Sequence, residues 1–368
     1  LVNPTLPPPT ARATAAGGGP LAATAEFPTF KGRAGWEFTD ISGLDLESYE
    51  LSTVSHPAPG EELPGALWDI QVAAAAEGVS VSVSDEETVV TVARGVDAGT
   101  IHLASIQRAN KTLVNQRTRI VLEEGAQAEV WEQLLSADEL DGVFNVSTEL
   151  VVGDGAHLRY VCGQALSEQS WIFGAQRALV GRSGSLDWVA LGFGSRSGHV
   201  LMETRLVGEG ADARVTGAYA THRRQHIDFD TTQEHAAPHT TSDLAFRGVL
   251  QDRSSAVWKG NIIVDPGAQK TDAFQDSRNL LLSKRAHADS IPGLEIQAND
   301  VRCTHAAAIA QVDPEQLFYL RSHGIDEAAA KRLVVEGFLA ALVERFEPGP
   351  VREVLATALE KRLALILS

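Results

Sequence analysis

The sequence predicts a mainly β protein: a parallel β-helix, or solenoid, preceded by a small mixed and helical region and followed by a helical domain. Three observations lead there. VSVSVSDEETVVTV, starting at Val79, alternates apolar and polar residues with the period of two that half-buried strands need. From there to Val312, short β-prone runs alternate with Gly, Asp, Asn and Ser turns, and no long helical pattern intrudes. Within that stretch one turn unit recurs, first at spacings of roughly 26 to 30 residues. Its copies are EEGAQAEVW at 123, GDGAHLRYV at 153, GRSGSLDWV at 181 and GEGADARVT at 208, with later versions DPGAQKTDA at 265 and SKRAHADSI at 283. Each unit is too thin to bury its own apolar face, so stacking must supply the core. A β-sandwich is the alternative, since its turns can fall at similar spacing.

The flanks follow from composition. Residues 1–25 are rich in Pro, Ala, Gly and Thr, which predicts a flexible tail. The stretch lacks the charged and apolar regions of a secretory signal. WEFTDISGLDLESYEL and ELPGALWDIQVAAAAEG predict short helical pieces in a mixed region, 26–78. The solenoid then occupies 79–312. At Asp313 the texture changes to DPEQLFYLRSHG, with Asp313 at an N-cap, Pro314 at the first helical position, Gln316 placed for a capping box, and Gly324 as a stop. A second helix should turn Leu333, Val334, Phe338, Ala341, Leu342 and Phe346 to one face; a third should do so with Val351, Leu355, Leu359 and Leu363. Residues 313–368 thus form a helical cap, which either closes the solenoid or offers a groove to another protein.

Charge and cysteine content narrow the function. The 368 residues carry 31 Lys and Arg against 48 Asp and Glu, a formal net charge of −17. That argues against nucleic acid or an anionic membrane as the main partner. Only two cysteines, Cys162 and Cys303, stand far apart, so the chain has no disulfide framework, which fits a reducing cytoplasm. No apolar run reaches the length of a membrane span. No G-x4-G-K-[ST] loop and no G-x-S-x-G elbow occurs, so ATP chemistry would belong to a partner. Carboxylates spread over a solenoid leave one enzymatic alternative, a carbohydrate-cleaving β-helix.

Long ordered blocks carry a resemblance. HIDFDTTQEHAAPHTTSDLAFRGVL (226–250), GAQKTDAFQDSRNLLLSKRA (267–286), ADSIPGLEIQANDVRCTHAAA (288–308) and FYLRSHGIDEAAAKRLVVEGFL (318–339) resemble the SufB/SufD family of iron–sulfur cluster assembly scaffolds. WEFTDISGL near residue 36 is similar to the family's N-terminal Trp-Lys-Tyr-Thr segment. Within the family the chain looks like the SufD branch. Its Cys303-Thr304-His305-Ala306 matches the SufD pattern Cys-Ser-His-Gly, and Ala286 stands near where SufB has a cluster-associated cysteine. Arg247, His323 and Ala306 depart from the usual Lys, Arg and Gly, and none of these changes removes a candidate ligand. The resemblance implies a right-handed β-helix and a complex with SufB and the ATPase SufC. SufC would dock on the C-terminal helices, around Phe318, Tyr319, Leu320, Arg321, Leu333 and Phe338. It implies a transient iron–sulfur cluster shared with SufB and no resident cofactor on the isolated chain. A reduced flavin in the complex and a homodimer of the isolated chain stay open, as does a SufB-like role as primary cluster carrier.

In a strand, Cys303 and His305 face one side and Thr304 the other. Thiolate and imidazole both bind iron, yet a cluster needs about four protein ligands. The remaining ligands must come from another chain, in line with the resemblance, which makes His305 the cluster residue at the SufB interface. Cys303 is either its companion ligand or core packing. His222, His226, His235 and His239 form two His-x3-His pairs, but that spacing binds zinc on a helix, and these lie in strand texture. A polar ladder is the expectation there, and Cys162 is expected as buried packing.

Overall fold

The computed structural model describes residues 37–57, 61, 63, 65–69, 77–84 and 87–367. The expected tail and the Ala-rich helical piece at 70–76 lie outside the described residues. Strands, numbered along the chain, alternate between two parallel sheets. One sheet stacks β3 (Glu87–Val92), β5 (Thr112–Leu122), β7 (Val143–Val152), β9 (Trp171–Val180), β11 (Ser197–Leu206), β13 (His226–His235), β15 (Ser255–Val264) and β17 (His287–Ile296). The other stacks β4 (Asp97–Gln107), β6 (Gln127–Ser136), β8 (His157–Ala165), β10 (Ser185–Gly192), β12 (Asp212–Thr221), β14 (Thr241–Leu250), β16 (Asp272–Leu281) and β18 (Arg302–Gln311). This is the stacked-coil solenoid expected from the sequence. At the start, β2 (Val79–Val83) pairs antiparallel with β3 and so caps the first coil.

The recurring turn unit has a clear physical content. Gly125, Gly155, Ser183, Gly210, His239 and Lys270 all take positive φ at the same corner. Each donates its N–H to the next coil, as Gly125 does to Asp154 O at 2.9 Å and His239 to Gln269 O at 2.8 Å. The small residue that follows is buried, because it fills the inside of the corner: Ala126, Ala156, Ala211, Thr240 and Thr271. Inward positions between corners build the lumen core, including Ile120, Phe144, Leu150, Trp188, Leu244, Phe246 and Trp258. Gly217 is required where it stands, since a Cβ there would lie 2.2 Å from the Phe246 ring.

The entry region is mixed, with one short helical turn among its described residues. Among the described residues before Val79 it holds a single 3-10 turn, Leu46–Ser48, and β1 (Glu50–Ser52), with no α-helix. The reason is packing: Ile41, with Leu44, Leu46 and Tyr49, lies on Leu113, Val143, Trp171 and Phe173, and β1 pairs with β5.

Three helices follow the last strand: α1 (Pro314–Ser322), α2 (Glu327–Val343) and α3 (Pro350–Leu367). Asp313 Oδ1 caps α1 by accepting Glu315 N–H at 2.9 Å, and Gly324 has φ +85° past its end. Helices α2 and α3 cover the outer face of the β10–β14 sheet, over Val189, Leu191, Ala218, Ala220, Ala245 and Val249. The buried stripe of α2 is Ala330, Val335, Leu339 and Leu342, continued by Phe346 beyond its end. That corrects the expected face, since Leu333 and Ala341 point to solvent and Val334 and Phe338 are half-buried. Two contacts set the rotation: Arg345 pairs with Asp243 at 3.1 Å, and Phe346 lies under the Arg214 guanidinium. In α3 the expected Val351, Leu355, Leu359 and Leu363 are all buried. No helix among the described residues is long and apolar enough to cross a membrane.

Candidate functional site at the open end of the solenoid

Nothing among the described residues covers the last coil of the solenoid. Among the described residues, β17 pairs only with β15 and β18 only with β16, so each keeps one free edge along 10 residues. Register then decides which side chains line the mouth. Cys303, His305, Ala307 and Ile309 sit over Ala273, Gln275, Ser277 and Asn279, and all four of those β16 residues are buried. Cys303 and His305 therefore point together into the lumen, as strand alternation requires. His305 is exposed because no further coil covers it.

The two neighbours differ. Cys303 is half-buried against Ile262, Val264, Ala268, Ala273 and Ala298. Burial, helped by the Asp272 carboxylate, pushes its thiol pKa up, which disfavours the thiolate a metal would need. His305 meets no such wall.

Beneath them the lumen changes character. Earlier coils are mainly aliphatic and aromatic with single inward polar groups such as Glu132, Gln176 and Gln233, whereas β16 turns three in succession, Gln275, Ser277 and Asn279, inward. Gln275 Nε2 donates across the lumen to Gly260 O at 3.3 Å and Gly293 O at 3.2 Å. Asn279 Nδ2 donates to Ser290 Oγ at 3.0 Å, and Tyr219 Oη donates to Asn279 Oδ1 at 2.5 Å. A polar layer at the end of an apolar core is costly unless paired, so it marks a surface built to meet something polar. Sequence reading missed this floor. Its signal was present in DAFQDSRNL, where alternate residues are Ala, Gln, Ser and Asn instead of apolar.

The other candidate histidines do not converge. His222 pairs with Glu168, which also accepts from Arg223 at 3.0 Å. His226 Nδ1 bonds Ser255 Oγ at 2.8 Å, while His235 is held between Thr240 Oγ1 and Ser242 Oγ. His239 is one of the left-handed corner residues. The expected polar ladder thus resolves into four local roles. Among the described residues no group of three His, Cys, Asp or Glu could hold a metal. Cys162 is buried beside Glu132 and Tyr160, its pKa pushed up to about 12 by burial, and it behaves as packing. A buried Thr39–Asp228–His199 contact, which sequence reading also missed, ties the entry segment to β11 and β13. The hydroxyl donates to the carboxylate and not to the imidazole, so this is a tether and not a nucleophile with its base.

The helical part offers a different surface. Helix α1 has no buried residue, and Phe318, Tyr319 and Leu333 are 74%, 63% and 48% exposed. Arg321 is exposed as well, with Leu320 and Phe338 half-buried. Arg362 anchors α3 underneath by donating to Ala220 O at 2.9 Å and Gln225 Oε1 at 2.8 Å. A cleft of about 1290 Å³ lies beside this anchor and includes neither Cys303 nor His305 in its walls.

Among the described residues, the solenoid ends in an uncovered coil over a polar floor and is followed by helices with an exposed apolar face, which is the build of a scaffold. Residues 105–338 match the SUF system FeS cluster assembly, SufBD core domain, and the chain belongs to that family. It is 35% identical over 232 residues to an iron–sulfur cluster assembly SufBD family protein of Mycobacterium tuberculosis, covering 61% of this chain and 58% of that protein. Similarity to the SufD proteins of Bacillus subtilis and Escherichia coli is 32% and 28% identity, over 70% and 67% of this chain. The aligned stretches span 60% and 58% of those two relatives.

Proposed function

We propose that the chain is a SufD-type scaffold subunit of cytoplasmic iron–sulfur cluster assembly, without catalysis of its own. The observation that carries this is His305, held at the mouth of the lumen over a polar floor and between two unpaired strand edges. Free edges recruit strands, so a SufB-type partner would continue both sheets and face His305 with its own ligands. One imidazole and at most one thiol fall short of the roughly four ligands a cluster needs, so the cluster is transient and shared. Cys303, packed and with a raised pKa, is the weaker of the two. A SufC-type ATPase would take the exposed face of α1 and α2 around Phe318, Tyr319, Leu320, Arg321, Leu333 and Phe338, and supply the ATP hydrolysis.

Two competing readings find less support. Glu129, Asp187 and Glu203 on the solenoid are tied into arginine ladders, Glu129–Arg159–Asp187 and Glu203–Arg177, which occupies them as structural ion pairs. A SufB-like carrier would want a cysteine near Ala286, which is a buried corner alanine. The test is His305→Ala in cells that depend on this chain. Both partners should still co-purify, while cluster-dependent enzyme activity and the cluster absorption of the anaerobically reconstituted complex disappear. Normal activity and spectra would sink the proposal.

A further inference from the structure

The polar floor contains a hydrogen-bond chain with one proton left over. Asn279 Nδ2 donates to Ser290 Oγ, and Ser277 Oγ and Ser290 Oγ lie 3.2 Å apart, sharing one proton. Two serines bring two hydroxyl protons, so one stays uncommitted. Ser277 is fully buried, where a stray donor would bear its whole desolvation cost. Ser290 is half-buried at the mouth. Ser277 therefore donates to Ser290, and Ser290 keeps the free O–H. Its oxygen already accepts twice, which leaves no lone pair for a metal and polarises its own proton.

We propose that the Ser290 hydroxyl is a substrate-contacting donor that hydrogen-bonds a sulfur atom of the iron–sulfur species assembled against His305. The inference rests on the functional reading above. Sulfide and thiolate sulfurs are anionic acceptors, and donors to them tune and stabilise such clusters. Placement agrees. Ser290 contacts Ser277, and Ser277 lies under Ala307, two residues beyond His305 on β18. Two residues of strand rise are about 7 Å. Ala307, the inward residue between His305 and Ile309, leaves the approach free of bulk.

The experiment uses the full chain in complex with its SufB-type partner, reconstituted anaerobically with iron and sulfide. Midpoint potential and rate of cluster loss are measured for the parent, Ser290→Ala, Ser290→Thr and Ser277→Ala. Ser290→Ala should move the midpoint to more negative potential and speed cluster loss about threefold. Ser290→Thr, which keeps the hydroxyl, should restore both. Ser277→Ala removes the hydrogen bond but not the free donor, so its midpoint should stay with the parent. Pulsed EPR of the reduced parent should also show an exchangeable proton coupled to the cluster, a readout that needs no variant. An unchanged Ser290→Ala, a Ser277→Ala that shifts equally, or no such coupling overturns the Ser290 role alone. A parent complex that forms no cluster overturns the functional reading and this inference with it.

Discussion

His235 shows how burial sets the behaviour of a single group in this fold. Both ring nitrogens are held by hydroxyls, Thr240 Oγ1 at 2.8 Å and Ser242 Oγ at 2.9 Å, and the side chain is fully buried. Burial lowers its pKa from 6.5 to about 4. Below pH 6.5 the unfolded chain binds a proton that the folded chain refuses, so stability falls as pH drops toward 4. At about 1.4 kcal/mol per pKa unit the loss is at most roughly 3 kcal/mol. Urea unfolding of His235→Gln should show a smaller drop between pH 7.5 and pH 4.2 than the parent; an equal drop would assign the loss to other groups. The same scale separates Cys303 from His305. Alternation placed them on one face, yet what each touches follows from the coil beneath, and only Cys303 meets an apolar wall.

Among the elements, the helices were legible in kind and partly misread in orientation. Asp313, Pro314 and Gly324 mark where α1 starts and stops because capping is local chemistry. The face of α2 was read about one residue off, since Arg345 on Asp243 and Phe346 under Arg214 fix the rotation through residues a hundred positions away. That rotation leaves Leu333 in solvent, and Phe318 and Tyr319 of α1 are exposed as well. Large apolar side chains on a helix with no buried face point to a partner. If the proposed SufC-type ATPase docks there, replacing Phe318 with Asp should reduce its recovery in affinity-purified complexes at least tenfold while the proposed SufB-type partner stays. Full retention of the ATPase would move its docking elsewhere. In the strands, the turn units were legible because every coil needs the same left-handed corner and small inward residue.

At the level of the whole molecule, the unlidded end is the dominant feature. Leu294, Ile296 and Ile309 are 36%, 42% and 44% exposed, although each belongs to the last coil of an otherwise buried lumen. A solenoid that ends this way needs a cap, from a partner or from a second copy. Ile309→Lys should weaken association with the solenoid partner at least tenfold by sedimentation velocity, and any self-association of the isolated chain with it. Unchanged affinity would mean that the partner binds another face.

The sequence by itself determined the class of fold, the repeat, the switch to helices at Asp313 and the pairing of Cys303 with His305 on one face. All of these rest on local periodicity or on corner and cap chemistry, which a chain carries wherever it folds. Only the tertiary structure decided that Gln275, Ser277, Asn279 and Ser290 form a polar floor, that Cys303 is walled in while His305 is free, and that the four other histidines never meet. Those outcomes depend on which residue of one coil lies over which residue of the previous one, about 30 positions earlier. Register of that kind is set by the summed burial of a whole coil, and no short stretch of sequence contains it.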